Sequence, residues 1–200
     1  MRGYINRAWE GRTVVVLANG PSMSHEVANQ ARGHPTIAVN DAFMVAPWAD
    51  MLYAADAKWW YHKRDLIQTF RGVKVSCADM AQIPGLISLT PSGVTGFDPH
   101  PGRIRTGNNS GYQAVHVAIT TGAARILLCG FDMHGDHWFG KHPAPLANPV
   151  PSDFQNWVKN FETLKGHEAE IINCTLGSAL RCFPFMELSD GLRQAQNQEA

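Results

Sequence analysis

The sequence predicts a single α/β domain in which a mainly parallel sheet carries helices on both faces, and three observations lead there. Short apolar runs of strand length recur along the chain, stretches with helical periodicity separate them, and small polar residues follow each run immediately. A chain of 200 residues that is 44% hydrophobic can bury one good core. The expected architecture is Rossmann-like.

Residues 13–18 (TVVVLA) form a β-branched run that ends in Asn19-Gly20-Pro21-Ser22, and a helix with Ser22 or Ser24 at its start follows toward Gln30. Residues 36–40 and 51–55 read as two further strands, the second followed by a helix over 57–70, and residues 73–77 as a fourth. From 78 to 107 the pattern gives way to Gly, Pro, Ser and Thr, a loop-rich insertion suited to a mobile flap or an acceptor-binding loop. Over 110–121, Tyr112, Val115, Ala118 and Ile119 share one helical face, and Gly122 supplies the C-cap before a buried strand over 125–129. A His-rich loop over 132–151 leads to a helix capped by Ser152 and Asp153, then to a strand over 170–174 and a last helical region. One domain over 1–192 results, with a polar flexible tail over 193–200.

Lys plus Arg and Asp plus Glu both number 17, so no whole-protein field draws the chain to nucleic acid or anionic lipid. The cysteines Cys77, Cys129, Cys174 and Cys182 lack the CxxC spacing of zinc and redox sites and read as reduced, mostly buried thiols. The N-terminus lacks the apolar stretch of a signal peptide, and no segment has the length to cross a bilayer, so a cytoplasmic protein without membrane insertion is expected. A homo-oligomer is compatible with this composition.

In open α/β sheets ligands bind beyond the carboxyl ends of the strands, which directs attention to the residues after each apolar run. These are Asn19, Gly20, Pro21 and Ser22; Asn40 and Asp41; Asp56; and Asp132, with Asn109, Ser110 and Gly111 at a helix start. Gly20 lets backbone approach a ligand, and the N–H groups of a following helix favour phosphate. The same loop also reads as a tight turn with Ser22 as cap, and on its own it divides evenly between the two. Asn40 and Asp41 suit a ribose or base, or an Asx-turn; Asn109 and Ser110 suit a ligand or a cap. Asp132, His134, Asp136, His137 and His142 crowd into eleven residues, where imidazoles can serve as acid or base or can bind metal. No HExxH-type spacing is present, so no metal ligand is assigned. Trp59, Trp60 and Tyr61 can stack on a base or sugar, although a Trp pair opening a helix more often anchors it to the core.

Asn-Gly-Pro-Ser after the first strand, and the gap-free block of Ser110-Gly111, helix, strand and Gly130-Phe131-Asp132, resemble the bacterial lipooligosaccharide sialyltransferases over about a third of the chain. That resemblance implies a glycosyltransferase fed by a nucleotide-sugar, a CMP-sugar among the candidates. By position it places Asn19 and Gly20 at the donor phosphate and ribose, Asn40 near the nucleotide, and Asn109, Ser110 and Gly111 along the donor site. His134 stands where the family has a tyrosine that contacts the donor phosphate, and His142 is the nearest counterpart of its catalytic base, at a different spacing. The chain from Tyr4 to Pro184 also looks like a widespread set of phage and prophage proteins, which implies origin and no activity.

The leading expectation is a transferase that needs no cofactor, because no Asp-x-Asp pair is present to hold a donor-bridging metal. The acceptor is unknown, a glycan ahead of modified phage DNA. A related group with a similar Gly-Pro-Ser loop resembles archaeal-type pterin pyrophosphokinases. It supplies a rival that uses ATP and magnesium, with Asp41, Asp56 or Asp132 as the metal-holding carboxylates. A third class is a non-catalytic nucleotide-binding phage accessory protein.

Overall fold

The computed structural model describes residues 3–80 and 82–199. Met1, Arg2, Ala81 and Ala200, which belong to the N-terminal segment, the insertion and the tail expected from sequence, lie outside the described residues. The strands are β1 (Thr13–Leu17), β2 (Thr36–Val39), β3 (Met51–Tyr53), β4 (Val73–Ser76), β5 (Leu86–Ser88), β6 (Thr90–Pro91), β7 (Arg103–Ile104), β8 (Arg125–Cys129) and β9 (Glu170–Asn173). The helices are α1 (His25–Gln30), α2 (Ala57–Lys63), α3 (Ser110–Thr120), α4 (Pro151–Glu162) and α5 (Leu188–Glu199).

Seven strands form one all-parallel sheet in the order β5-β4-β3-β2-β1-β8-β9. All six runs read from sequence as strands belong to it, so the fold is the expected single Rossmann-like α/β domain. Side chains alternate across a strand, and every residue of β1 is buried, so each face receives its own core. Val14 and Val16 pack with Val115 and Ala118 of α3 and Phe161 of α4. Val15 and Leu17 pack on the other face with Ala28 of α1, Trp59 and Trp60 of α2, and Leu188 and Leu192 of α5. The Trp pair therefore belongs to the core, while Tyr61 is exposed beneath the Arg64 guanidinium.

Four local expectations are corrected. The insertion is not a flap: β5 joins the sheet edge, β6 and β7 form a small parallel sheet of their own, and Leu89 and Ile104 are buried. The N-terminal segment covers that edge through Gly3 N–H to Ser88 O at 3.0 Å, which blunts an otherwise open strand. The helix over 57–70 ends at Lys63 and resumes as a 3-10 turn at Leu66–Thr69, where the Thr69 hydroxyl bonds the Leu66 carbonyl. Helix α4 begins earlier than expected, with Pro151 as its first residue and the Asp153 carboxylate accepting the Val150 N–H at 2.9 Å; Ser152 is no cap. The polar stretch after Leu192 continues α5 as far as Glu199 instead of leaving the fold as a tail.

All four cysteines are free, and Cys129 alone is fully buried. Among the described residues no helix is long and apolar enough to cross a membrane.

Helix α3 is buried from Gly111 to Thr120, which encloses His116 completely. Its Nε2 accepts the Asp98 N–H at 3.0 Å, an arrangement that needs the neutral ring, and burial pushes its pKa down from 6.5 to about 4. The unfolded chain then takes up this proton first, so the contribution is full above about pH 6.5 and fades as pH falls to about 4. The expected loss over that window is about 3 kcal/mol. His116→Gln, which can still accept the Asp98 N–H, should flatten the pH dependence of urea unfolding between pH 6.5 and 4. An unchanged profile would assign the acid sensitivity to other groups.

Candidate functional site

Strands β1 and β8 are neighbours at the middle of the sheet, yet the chain serves them from opposite faces. It leaves β1 through α1, packed on one face, and enters β8 from α3, packed on the other. A crevice opens beyond their carboxyl ends at such a switch point. There the Gly20 N–H bonds Gly130 O at 2.9 Å, joining the loop after β1 to the loop after β8.

A cleft of about 600 Å³ lies at this place. Of the residues singled out from sequence, Asn19, Gly20, Asn40, Asp56, Asn109, Ser110 and Gly111 line it, and so do Asp132, His134 and His142. Pro21, Ser22 and Asp41 do not. Pro21 and Ser22 face solvent, and the Ser22 hydroxyl is spent on Asp132, donating to Oδ2 at 2.8 Å. Asp41 is only 1% exposed and binds protein groups instead of facing a ribose or base. The start of α1, where a phosphate was expected, does not line the cleft: α1 has six residues, starts at His25 and is capped by Ser24, whose oxygen accepts the Val27 N–H.

The wall after β1 is held tightly. The Asp132 carboxylate, 5% exposed, accepts both the backbone and the hydroxyl of Ser22 and leaves no room for a side chain at Gly20. A Cβ there would overlap that carboxylate and stand 2.6 Å from Gly130 O. Asn19 is buried, and its side-chain oxygen has no hydrogen-bond partner among the described residues, so a donor must come from whatever fills the cleft. Its carbonyl accepts the Trp138 N–H at 3.0 Å, which ties the His-rich loop to the β1 loop.

The opposite wall is the start of α3. Asn109 caps it by accepting the Tyr112 N–H at 2.9 Å, and the Ser110 hydroxyl accepts the Ala55 N–H at 3.3 Å, fastening the helix to the end of β3. The first N–H groups of an α-helix lack intrahelical partners and carry its positive dipole end, so Ser110 and Gly111 present them at the cleft. Gly111 is required by close approach, since a Cβ would stand 2.8 Å from Phe131 Cε1.

Three non-glycine residues among those described have a positive φ: Asn40 at 47°, Asn108 at 49° and Met133 at 58°. All three line this one cleft. Asparagine tolerates that conformation, whereas methionine gains nothing local from it. Backbone strain gathered at one edge of a sheet is a mark of a functional site.

The His-rich loop is ordered. His137 and Gly140 exchange backbone hydrogen bonds at 3.2 and 2.8 Å. Asn148 clamps His142 from both sides, its oxygen accepting the His142 N–H at 2.8 Å and its nitrogen donating to the His142 carbonyl at 3.1 Å. The His142 ring sits 4.5 Å from that of His137 and 5.0 Å from that of Phe139. His142 is therefore a fixed group and not part of a swinging loop. Burial pushes both His137 and His142 below 6.5, the Asp41 carboxylate pulling the other way, and leaves two neutral imidazoles in the cleft near pH 7. His134 is exposed at the rim.

The cleft's charged lining is one-sided. Asp56, Asp132, Asp136 and Asp153 contribute carboxylates, and no Lys or Arg among the described residues lines it. Two of these have local duties, Asp56 capping α2 through the Lys58 N–H at 2.8 Å and Asp153 holding Val150. No group of three or more His, Cys, Asp or Glu among the described residues is arranged to hold a metal ion.

Several lining residues went unread in the sequence. Phe154 and Trp157 of α4, packed edge to face at 5.4 Å, look like core residues by periodicity, yet of that helix only Phe161 is buried. Gln113 did carry a signal, being an amide in a mostly apolar helix. Its oxygen accepts the Tyr53 hydroxyl and its nitrogen donates to Thr106 O at 2.7 Å, which fixes the last residues of the insertion at the cleft. Cys77 lies beside them, its thiol pushed up by burial.

The fold and this edge of the sheet define an α/β protein with a strained cleft at the switch point of a parallel sheet. Compared with known proteins, the chain matches no family model and no curated sequence.

Proposed function

We propose that this chain is a glycosyltransferase-like enzyme that moves a sugar from a nucleotide-activated donor to an acceptor hydroxyl. The observation that carries the reading is the convergence of Asn19, Gly20, Asn40, Asn109, Ser110 and Gly111, from three separate segments, on one cleft that also holds the fixed imidazole of His142. In this reading the N–H groups opening α3 face the leaving phosphate, and the orphaned oxygen of Asn19 accepts from a ribose hydroxyl or an exocyclic amine. A lining without Lys or Arg suits a donor with a single phosphate, such as a CMP-sugar, better than a diphosphate donor. Phe154 and Trp157 offer an apolar face for a sugar ring or a base. Transfer proceeds without a bound metal.

One observation favours a second reading. Four carboxylates around a cleft without lysine or arginine also suit a nucleotide that arrives with magnesium, as phosphoryl transfer from ATP requires.

A thermal-shift screen separates the two. Saturation at about 100 times Kd adds about 2.7 kcal/mol, or a rise in Tm of about 5–10 °C for a chain of this size. The expected response is to CMP and CMP-sugars, and it survives a chelator. A response to ATP alone that vanishes with chelator would replace sugar transfer by phosphoryl transfer.

A further inference from the structure

Strand β8 ends at Cys129, and Cys174 follows β9 directly. The two strands run parallel with Leu127 beside Ile172 and Leu128 beside Asn173, so the next step in register sets Cys129 beside Cys174. The Cys174 N–H donates to Leu128 O at 2.8 Å, which carries the pairing as far as that step. Residues side by side in a parallel pair point to the same side of the sheet. Cys129 and Cys174 both pack in the core that holds Leu127 and Ile172. Neighbouring strands lie about 4.8 Å apart, inside the range of about 4.4–6.8 Å that a disulfide needs between Cα atoms. Cys77, after β4, and Cys182, in the loop beside β9, pack on the other face and near opposite edges of the sheet. Of the four thiols, Cys129 and Cys174 alone are placed to join.

We propose that Cys129 and Cys174 form a redox modification site, at which an intramolecular disulfide arises by exchange with a low-molecular-weight disulfide such as oxidised glutathione. Cys174, half-buried, is the thiol that meets the reagent, and the buried Cys129 resolves the intermediate. In the first step the Cys174 sulfur, its proton lost to solvent, bonds one sulfur of the reagent; the reagent's S–S bond breaks and one thiolate leaves. In the second, the Cys129 sulfur, its proton likewise lost, bonds the Cys174 sulfur; the mixed S–S bond breaks and a second thiolate leaves. Two protein thiols are oxidised, and one reagent disulfide is reduced to two thiols. The neighbouring Cys174 thiol and burial hold the Cys129 thiol well above the ordinary thiol range, so the second step is the slow one and quickens as pH rises.

The pair stands at the floor of the cleft. Gly130 follows Cys129 immediately, and its carbonyl accepts the Gly20 N–H. The segment after Cys174 already holds the next residues: Thr175 Oγ1 accepts the Phe131 N–H at 3.0 Å, the Ser178 hydroxyl donates to Phe131 O, and the Ala179 N–H donates to Asp132 O at 2.9 Å. A disulfide draws its Cβ atoms to about 3.8 Å, about 1 Å closer than neighbouring strands hold them. Because β1 and β9 flank β8 on opposite sides, the cross-link pulls Gly130 toward β9 and away from Gly20. Oxidation thereby loosens the wall that carries Asn19. The effect on a ligand rests on the nucleotide reading of the cleft; the cross-link does not.

The test treats the whole reduced chain with oxidised glutathione at about pH 8, where thiolate attack is favoured, then quenches with acid, alkylates under denaturing conditions and maps the peptides by mass spectrometry. Cys174→Ser and Cys129→Ser are treated alongside. Wild type is expected to lose two thiols, to retain no glutathione and to yield one peptide pair joining Cys129 to Cys174. Cys174→Ser should keep its three thiols free, and Cys129→Ser should hold glutathione on Cys174, which exposes the intermediate. Four free thiols in wild type, glutathione left unresolved on its Cys174, or a cross-link between other cysteines overturns the inference. Wild type and Cys174→Ser decide this even where the buried Cys129→Ser fails to fold. Calorimetry with CMP then reads the coupling to the cleft: affinity should be about tenfold weaker in the cross-linked chain than in the reduced one. Equal affinity in the two overturns the coupling. No CMP binding to the reduced chain counts against the nucleotide reading instead, and the cross-link is judged by the mapping alone.

Discussion

Replacing His142 by alanine is expected to lower turnover by roughly two to four orders of magnitude while nucleotide affinity stays within about twofold of wild type. The size follows from what the ring does in the proposed reaction, and the selectivity follows from where it sits. His142 is held at its backbone by Asn148 and packed at its ring against His137, Phe139 and Asp41, none of which is among the groups proposed to hold the nucleotide. Its loss leaves the groups proposed to hold the nucleotide untouched. His134, two residues past Asp132 and exposed at the rim of the cleft, is expected to behave differently: His134→Ala should weaken nucleotide binding as well as turnover. Steady-state kinetics and calorimetric binding on both variants decide this. Turnover near wild type in His142→Ala would move the base elsewhere.

Gly20→Ala is expected to destabilise the fold by about 2–3 kcal/mol and to weaken nucleotide binding at least about tenfold. One methyl group has this effect because its surroundings cannot yield. The added carbon would overlap the Asp132 carboxylate and meet the carbonyl of Gly130 at 2.6 Å, and that carbonyl is already bonded to the Gly20 N–H. Relief requires Asp132 to let go of Ser22, which frees the loop that carries Asn19. Urea unfolding of the variant gives the first number and calorimetry the second. Wild-type values for both would mean that the β1 and β8 loops are looser than their hydrogen bonds indicate.

The sheet was readable in the sequence because its strands are runs of buried apolar residues, and burial on both faces leaves that trace whatever the surroundings. The short strands β5 to β7 escaped because two or three residues flanked by Pro and Gly carry no period to detect. Much of the site was readable for a similar reason: in a parallel sheet the residue after each strand goes to one common edge, so Asn19, Asn40, Asp56 and Asp132 could be brought together without coordinates. Asp41 was misplaced because its surroundings are set by Trp59 and Lys63, which lie in another element and leave no mark near an Asn-Asp turn. The fixity of His142 was hidden likewise, since it depends on which way a loop asparagine six residues later turns its amide. Phe154 and Trp157 repeat the spacing of core residues, and only the position of α4 over the cleft separates them from Phe161.

The left-handed backbone at Asn40, Asn108 and Met133 also bears on how this sequence can drift. Each position is one where glycine would be the more comfortable occupant, by about 1 kcal/mol. Glycine at these positions is therefore expected to relieve backbone strain and to soften the rim of the cleft at the same time. A stability-directed selection run on this protein should collect glycine at these positions early and lose definition of the ligand cleft as it does so. Any engineering campaign that wants both a hardier scaffold and an intact cleft has to hold these three residues constant and look for its gains on the far side of the sheet.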